Sequence, residues 1–172
     1  MDFSHTKTHP GTNVQIIKVL YRGRSLIPMW DQVETYAEVF RSFVNQNPEG
    51  ITLIGYSQGG LIARAIVEST PNHTVHTLII IASPQMGMYG IPDEVYESYS
   101  FMKRFVTSIE LLGRFAYSTI GQLISIGGYW KDPNYLDDYK TKSKFLPVLN
   151  NEISHSKEKV SLSFCRENED LI

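Results

Sequence analysis

The chain has 172 residues, 42% hydrophobic and 20% charged, enough to bury one core and without the bias of a disordered or collagen-like sequence. A formal net charge of -2 and a pI near 6.2 leave no basic field to attract nucleic acid or an anionic membrane. Cys165 is the single cysteine, which excludes an internal disulfide framework and a CxxC metal or redox site.

At the start, Met1-Asp2-Phe3-Ser4-His5-Thr6-Lys7 lacks the basic start and apolar stretch of a secretory signal, so no leader is expected in the chain as written. The run Val14-Gln15-Ile16-Ile17-Lys18-Val19-Leu20 is short, β-branched and preceded by Pro10-Gly11, and reads as a mostly buried strand. From Pro28 onward the period changes. Trp30, Val33, Ala37, Phe40 and Val44 fall at the 3-4 spacing of one helix face, and the helix should stop before Pro48-Glu49-Gly50. Ile51-Thr52-Leu53-Ile54 is a second strand, 59–69 a second helix, and Thr77-Leu78-Ile79-Ile80-Ile81-Ala82 a third strand. Strands so continuously apolar are expected to be covered on both faces, as in a parallel sheet.

The alternation of strand and helix predicts an α/β layer structure with right-handed crossovers. Beyond Ser83-Pro84 the rhythm is lost. Residues 92–127 carry Phe101, Phe105, Ile109, Leu112 and Phe115 at helical spacing with no strand between, and read as an inserted helical cap. Residues 129–139 read as a loop and 140–150 as holding one short helix. From 154 to 172 the chain is polar and patternless. Residues 1–172 are thus expected to form a single domain. No apolar run reaches the roughly 18 residues of a membrane-spanning helix, and no metal or other cofactor is called for. Asn72-His73-Thr74 matches the glycosylation sequon, which matters only in a secreted protein.

The chemistry rests on Gly55-Tyr56-Ser57-Gln58-Gly59. A serine that attacks an acyl carbonyl must project its hydroxyl from a sharp, strained turn between a strand and a helix. Side chains two positions to either side should collide with backbone there, which calls for glycine at both Gly55 and Gly59. The helix that follows aims its free N–H groups and positive end at the reacting centre, and the N–H of Gln58 is placed to stabilise the oxyanion. With glycine and serine each near 7%, such a five-residue pattern arises by chance in about one chain in twenty of this length. Its context carries the argument: an apolar strand ends just before it, and Leu61, Ile62, Ala65 and Ile66 begin an apolar helix face just after.

These residues also carry a resemblance. The run from Gly55 through Gly60-Leu61-Ile62-Ala63-Arg64-Ala65, followed by Ser83-Pro84-Gln85-Met86-Gly87-Met88-Tyr89-Gly90, resembles the palmitoyl-protein thioesterases. Flanking blocks do the same: His9-Pro10-Gly11-Thr12, Ser25-Leu26-Ile27-Pro28-Met29-Trp30-Asp31-Gln32-Val33, Tyr129-Trp130-Lys131-Asp132-Pro133 and Phe145-Leu146-Pro147-Val148-Leu149-Asn150-Asn151-Glu152. The similarity spans about residues 8–152. It implies an α/β-hydrolase, lysosomal, that cleaves the thioester between a long acyl chain and a cysteine or a coenzyme A-like thiol. Ser57 matches the family's nucleophile and Gln58 its oxyanion donor. Gln85, Met86 and Gly87 match a loop beside the site, and the helical insertion matches the acyl groove.

The same resemblance implies a His-Gly loop upstream and a catalytic acid and histidine downstream, outside this chain. His5, His9, His73, His76 and His155 read as surface residues, Glu167, Glu169 and Asp170 as a solvated charge run, and Cys165 as an inert thiol in the tail. The expectation is therefore an incomplete form of a thioesterase, nearly inactive alone because a triad without its histidine loses about 10⁶ in turnover, and poorly soluble because of open sheet edges. Two other readings stay open from the sequence: a lipase or carboxylesterase acting on oxygen esters, and a non-catalytic lipid-binding or interaction module that keeps the elbow as scaffold.

Overall fold

A computed structural model describes residues 12–18, 26–90 and 109–153, with side chains of the last stretch described from Gly113 onward. The first helix, α1 (Met29–Gln46), starts behind Pro28, whose fixed φ and missing N–H suit a helix entrance. Met29, Val33, Ala37, Phe40 and Val44 are buried on one stripe at the predicted spacing. Trp30 sits off that stripe, packs edge-on against Phe145 at 4.8 Å and donates its Nε1–H to the Lys144 carbonyl at 2.8 Å.

Next come β1 (Ile51–Tyr56), α2 (Gln58–Ser69) and β2 (Val75–Ile81). The two strands pair in parallel, Thr52 opposite Thr77 through Tyr56 opposite Ile81, so α2 is a crossover connection. Helix α2 lies on one face of the pair and buries Leu61, Ile62, Ala63, Ala65 and Ile66 between the sheet and α1. Mixed helices and parallel strands bear out the α/β reading.

Two expectations need correction. Residues 14–18, the described part of the strand predicted at 14–20, form no strand, and Val14 and Ile16 are 44% and 54% exposed. Extended backbone becomes a strand only when a neighbour completes its hydrogen bonds, and apolar content does not specify that neighbour. Nor are both sheet faces covered among the described residues. Ile54, Tyr56, Ile79 and Ile81 point away from α2 and are 41–54% exposed. A continuous apolar run says that both faces are apolar, but not that each has an element to meet.

The remaining described chain is helical in short pieces: α3 (Ile109–Ala116), a 3-10 turn at Gly121–Leu123, α4 (Ser125–Tyr129), α5 (Leu136–Lys142) and α6 (Leu146–Leu149). The first two and the start of the third fall in the predicted cap, whose residues 92–108 lie outside the described residues. The fourth corrects the loop expected over 129–139, since α5 begins at Leu136. The fifth is the short helix expected within 140–150. Buried Gln122 holds these pieces together: its Nε2 donates to the carbonyls of Ala116 and Gly127, both at 2.8 Å, and its Oε1 accepts the Lys144 N–H. Trp130, Tyr139, Phe145 and Leu146 join the α1–α2 core. The polar tail at 154–172, with Cys165 and His155, lies outside the described residues, as do His5 and His9. Among the described residues no helix is long and apolar enough to cross a membrane.

Candidate active site

At the end of β1 the chain reverses into α2 through a single residue. Ser57 has φ 54 and ψ -129, a conformation that L-residues with a Cβ rarely adopt and that costs about 1–3 kcal/mol. Its N–H donates to the Ile81 carbonyl at 2.9 Å, and its own carbonyl accepts the Gly60 N–H at 3.0 Å, so strand and helix hold the turn from both sides. A serine just before a helix ordinarily caps it with its hydroxyl. Ser57 makes no such side-chain capping bond, and the residue is exposed.

The turn is tight because two backbones nearly touch. A Cβ on Gly55 would stand 2.6 Å from the Gly60 Cα and 2.7 Å from the Gly59 carbonyl oxygen, distances that real Cβ atoms do not show. At Gly60 a Cβ would meet the Ser83 side chain at 2.6 Å and Ile80 at 2.9 Å. At Gly59 there is nothing within 4 Å. The expectation that sterics require Gly59 is therefore corrected. A Cβ at Gly59 would point away from the sheet, whereas Gly60, one residue further round the helix, faces β2. The crowded pair is Gly55 and Gly60.

Gln58 opens α2, in the first turn, where helical N–H groups have no intrahelical acceptor. Its side chain is held at both ends. Tyr129 donates its O–H to Gln58 Oε1 at 3.0 Å, and Gln58 Nε2 donates to Gln32 Oε1 at 2.9 Å. Gln32, 1% exposed on α1, in turn donates to the Ile27 carbonyl at 2.8 Å. Gln32 was not singled out from the sequence, although a glutamine three residues after Met29 on an apolar stripe is itself a signal. A buried polar side chain must be bonded to something.

The loop that leaves β2 begins at the elbow, where Ser83 touches Gly60. Gln85, expected to meet substrate, is engaged internally: Nε2 donates to Ser83 Oγ at 2.7 Å, Oε1 accepts from Arg64 Nη1 at 3.2 Å, and its carbonyl accepts from Asn150 Nδ2 at 3.0 Å. Gly87 has φ 92, and a Cβ there would stand 2.5 Å from the Lys131 Cβ. Met86, between them, is 71% exposed. Met88 then bridges to Trp130, donating to the Tyr129 carbonyl and accepting from the Lys131 N–H, both at 2.9 Å. Arg64 locks the base of this loop by also donating to Asn150 Oδ1 at 2.8 Å and the Leu149 carbonyl at 3.0 Å. Arg64 also pairs with Glu68 one turn along α2 at 2.6 Å, but its partners 85 and 86 residues away left no local trace in the sequence.

Beside the loop, Lys131 Nζ pairs with Glu152 Oε1 at 2.9 Å. Burial tends to raise the Glu152 pKa, but Lys131, with Tyr139 and Asn150, holds it below the ordinary value of 4.5. A depressed carboxylate contributes stability that is present above its unfolded pKa and lost as pH falls through the lower folded one. Glu152→Gln is accordingly expected to show a shallower loss of stability than the parent on acidification below pH 4.5, measured by denaturant melts across that range.

Of the described histidines neither reaches Ser57. His73 lies edge-on to Phe40, and His76 lies against Gly50, both at the opening end of the strands. Ser57 is at the other end, roughly 17–20 Å away along β1 at about 3.3 Å per residue. Among the described residues no three of His, Cys, Asp and Glu gather as metal ligands.

A family model described as "Palmitoyl protein thioesterase" matches residues 2–168. Lysosomal thioesterase PPT2 of Rattus norvegicus is 40% identical over 149 residues, covering 87% of this chain and 48% of that protein. The PPT2 homolog of Drosophila melanogaster is 40% identical over 146 residues, 84% of this chain and 48% of that protein. Palmitoyl-protein thioesterase 3 of Dictyostelium discoideum is 37% identical over 128 residues, 72% of this chain and 40% of that protein. The chain spans about half the length of the curated relatives it matches.

Proposed function

The chain belongs to the palmitoyl protein thioesterase family, and from that premise we propose that it carries the nucleophile elbow of an α/β-hydrolase that cleaves fatty-acyl thioesters. The observation that carries this reading is Ser57 itself, held at positive φ between a strand and a helix with its hydroxyl unused for capping. Strain of this kind persists where surrounding structure over-determines it, and it clusters at functional sites.

In the proposed reaction the Ser57 hydroxyl gives its proton to a general base and its oxygen attacks the thioester carbonyl. Neither described histidine reaches Ser57, so a histidine acting as this base lies outside the described residues. The tetrahedral oxyanion is stabilised by the N–H of Gln58, in the field of the α2 N-terminus. Collapse breaks the carbon–sulfur bond, the thiolate leaves and takes up a proton, and water then releases the fatty acid from the acyl-serine. Met86 and the exposed Phe115, Ile120 and Leu123 supply apolar surface for the acyl chain, while Gln85 and Gly87 give the loop its shape. The substrates are S-acylated proteins or acyl-coenzyme A-like thioesters, and the lysosome is the proposed compartment from the names of the PPT2 relatives.

Hydrolysis of palmitoyl-coenzyme A compared with p-nitrophenyl palmitate tests this reading. Faster thioester cleavage is the expected result, and preferential cleavage of the oxygen ester would overturn it.

A further inference from the structure

The oxyanion donor assigned above is the backbone N–H of Gln58, which any residue could supply. Nothing in that role explains why its side chain is clamped between two buried groups. The clamp has one self-consistent polarity. The Ile27 carbonyl can only accept, so Gln32 Nε2 must be the donor toward it and Gln32 Oε1 the acceptor facing Gln58. Gln58 Nε2 therefore points to Gln32, its Oε1 points the other way, and the Tyr129 O–H must donate to it.

The three bonds tie the first residue of α2 to α1 on one side and to the end of α4 on the other. Tyr129 is 6% exposed and Gln32 1%, so neither can trade its partner for water without cost. The Tyr129 carbonyl meanwhile accepts the Met88 N–H, so one residue fixes both the elbow and the loop that follows β2. A transition-state donor is effective only when held in place before charge develops, and positional tolerance at such sites is well under 1 Å.

We propose that Gln32 and Tyr129 are positioning residues that fix the Gln58 N–H as oxyanion donor by clamping the Gln58 side chain. This rests on the thioesterase reading, and two measurements on the whole chain separate it from that reading. In palmitoyl-coenzyme A hydrolysis, Gln32→Leu and Tyr129→Phe are each expected to lower kcat about tenfold, less than the roughly 10²–10³ seen for loss of a whole donor, with KM unchanged within about twofold. In amide exchange, the bonded elbow amides of Ser57 and Gly60 are expected to exchange at least about tenfold faster in both variants while amides in the middle of α1 keep their protection. Tyr129→Phe removes a single hydroxyl and preserves the ring, so it decides the matter if Gln32→Leu does not fold. Should the parent protein show no turnover, the exchange measurement alone judges the clamp. Unchanged kcat in Tyr129→Phe, an effect confined to KM, or unchanged exchange at Ser57 and Gly60 would overturn the proposal.

Discussion

Where the general base is present, replacing Ser57 with alanine is expected to lower thioester turnover by about 10⁶-fold, near 8 kcal/mol in the barrier, while leaving the fold intact. The second half of that expectation follows from geometry. The hydroxyl makes no capping bond and the residue is exposed, so its removal uncovers no buried partner. Alanine also keeps the same strain at φ 54, because the penalty comes from the Cβ and not from the oxygen. Glycine behaves differently. Ser57→Gly is equally inactive but relieves the strain, and should raise the unfolding free energy by about 1 kcal/mol against Ser57→Ala in urea melts. A protein that gains stability on losing its proposed nucleophile shows the trade expected of a strained site.

The glycines of the elbow give the second large effect. Gly55→Ala forces a methyl to within 2.6 Å of the Gly60 Cα, where backbone faces backbone and no side chain can swing aside. Overpacking of this kind costs about 1–3 kcal/mol and occasionally more, and at this turn it also displaces Ser57. Gly60→Ala should follow, since its Cβ meets Ser83 and Ile80. Gly59→Ala should not. Its Cβ has nothing within 4 Å, and alanine is favoured over glycine in a helix by up to about 1 kcal/mol. Thermal melts of the three variants are expected to rank Gly59→Ala at or above the parent, with the other two clearly below.

That ranking also marks how far the sequence could be read. The helix beginning after Pro28, both paired strands and the elbow between β1 and α2 follow from local period and punctuation, and the structure has them within a few residues of their expected ends. The family was legible too, because its motifs are contiguous runs. What failed depends on neighbours. The described residues 14–18 have strand composition, but pairing is a property of two segments. The apolar runs of β1 and β2 announce two apolar faces, and only α2 covers one of them among the described residues. The motif spacing points to Gly59 as readily as to Gly60, and only the position of β2 tells them apart. Arg64, Asn150 and Tyr129 act through partners 65 to 86 residues away, which no window on the sequence reports. Gln32 is the exception that could have been found, a polar residue on an apolar stripe.

The central claim, that Ser57 forms an acyl-enzyme, is tested most directly by acid-quenching the protein during palmitoyl-coenzyme A turnover and mapping the adduct by peptide mass spectrometry. The expected result is a palmitoyl ester on Ser57, absent from Ser57→Ala. Turnover with no adduct, or with the acyl group on another residue, would contradict the account.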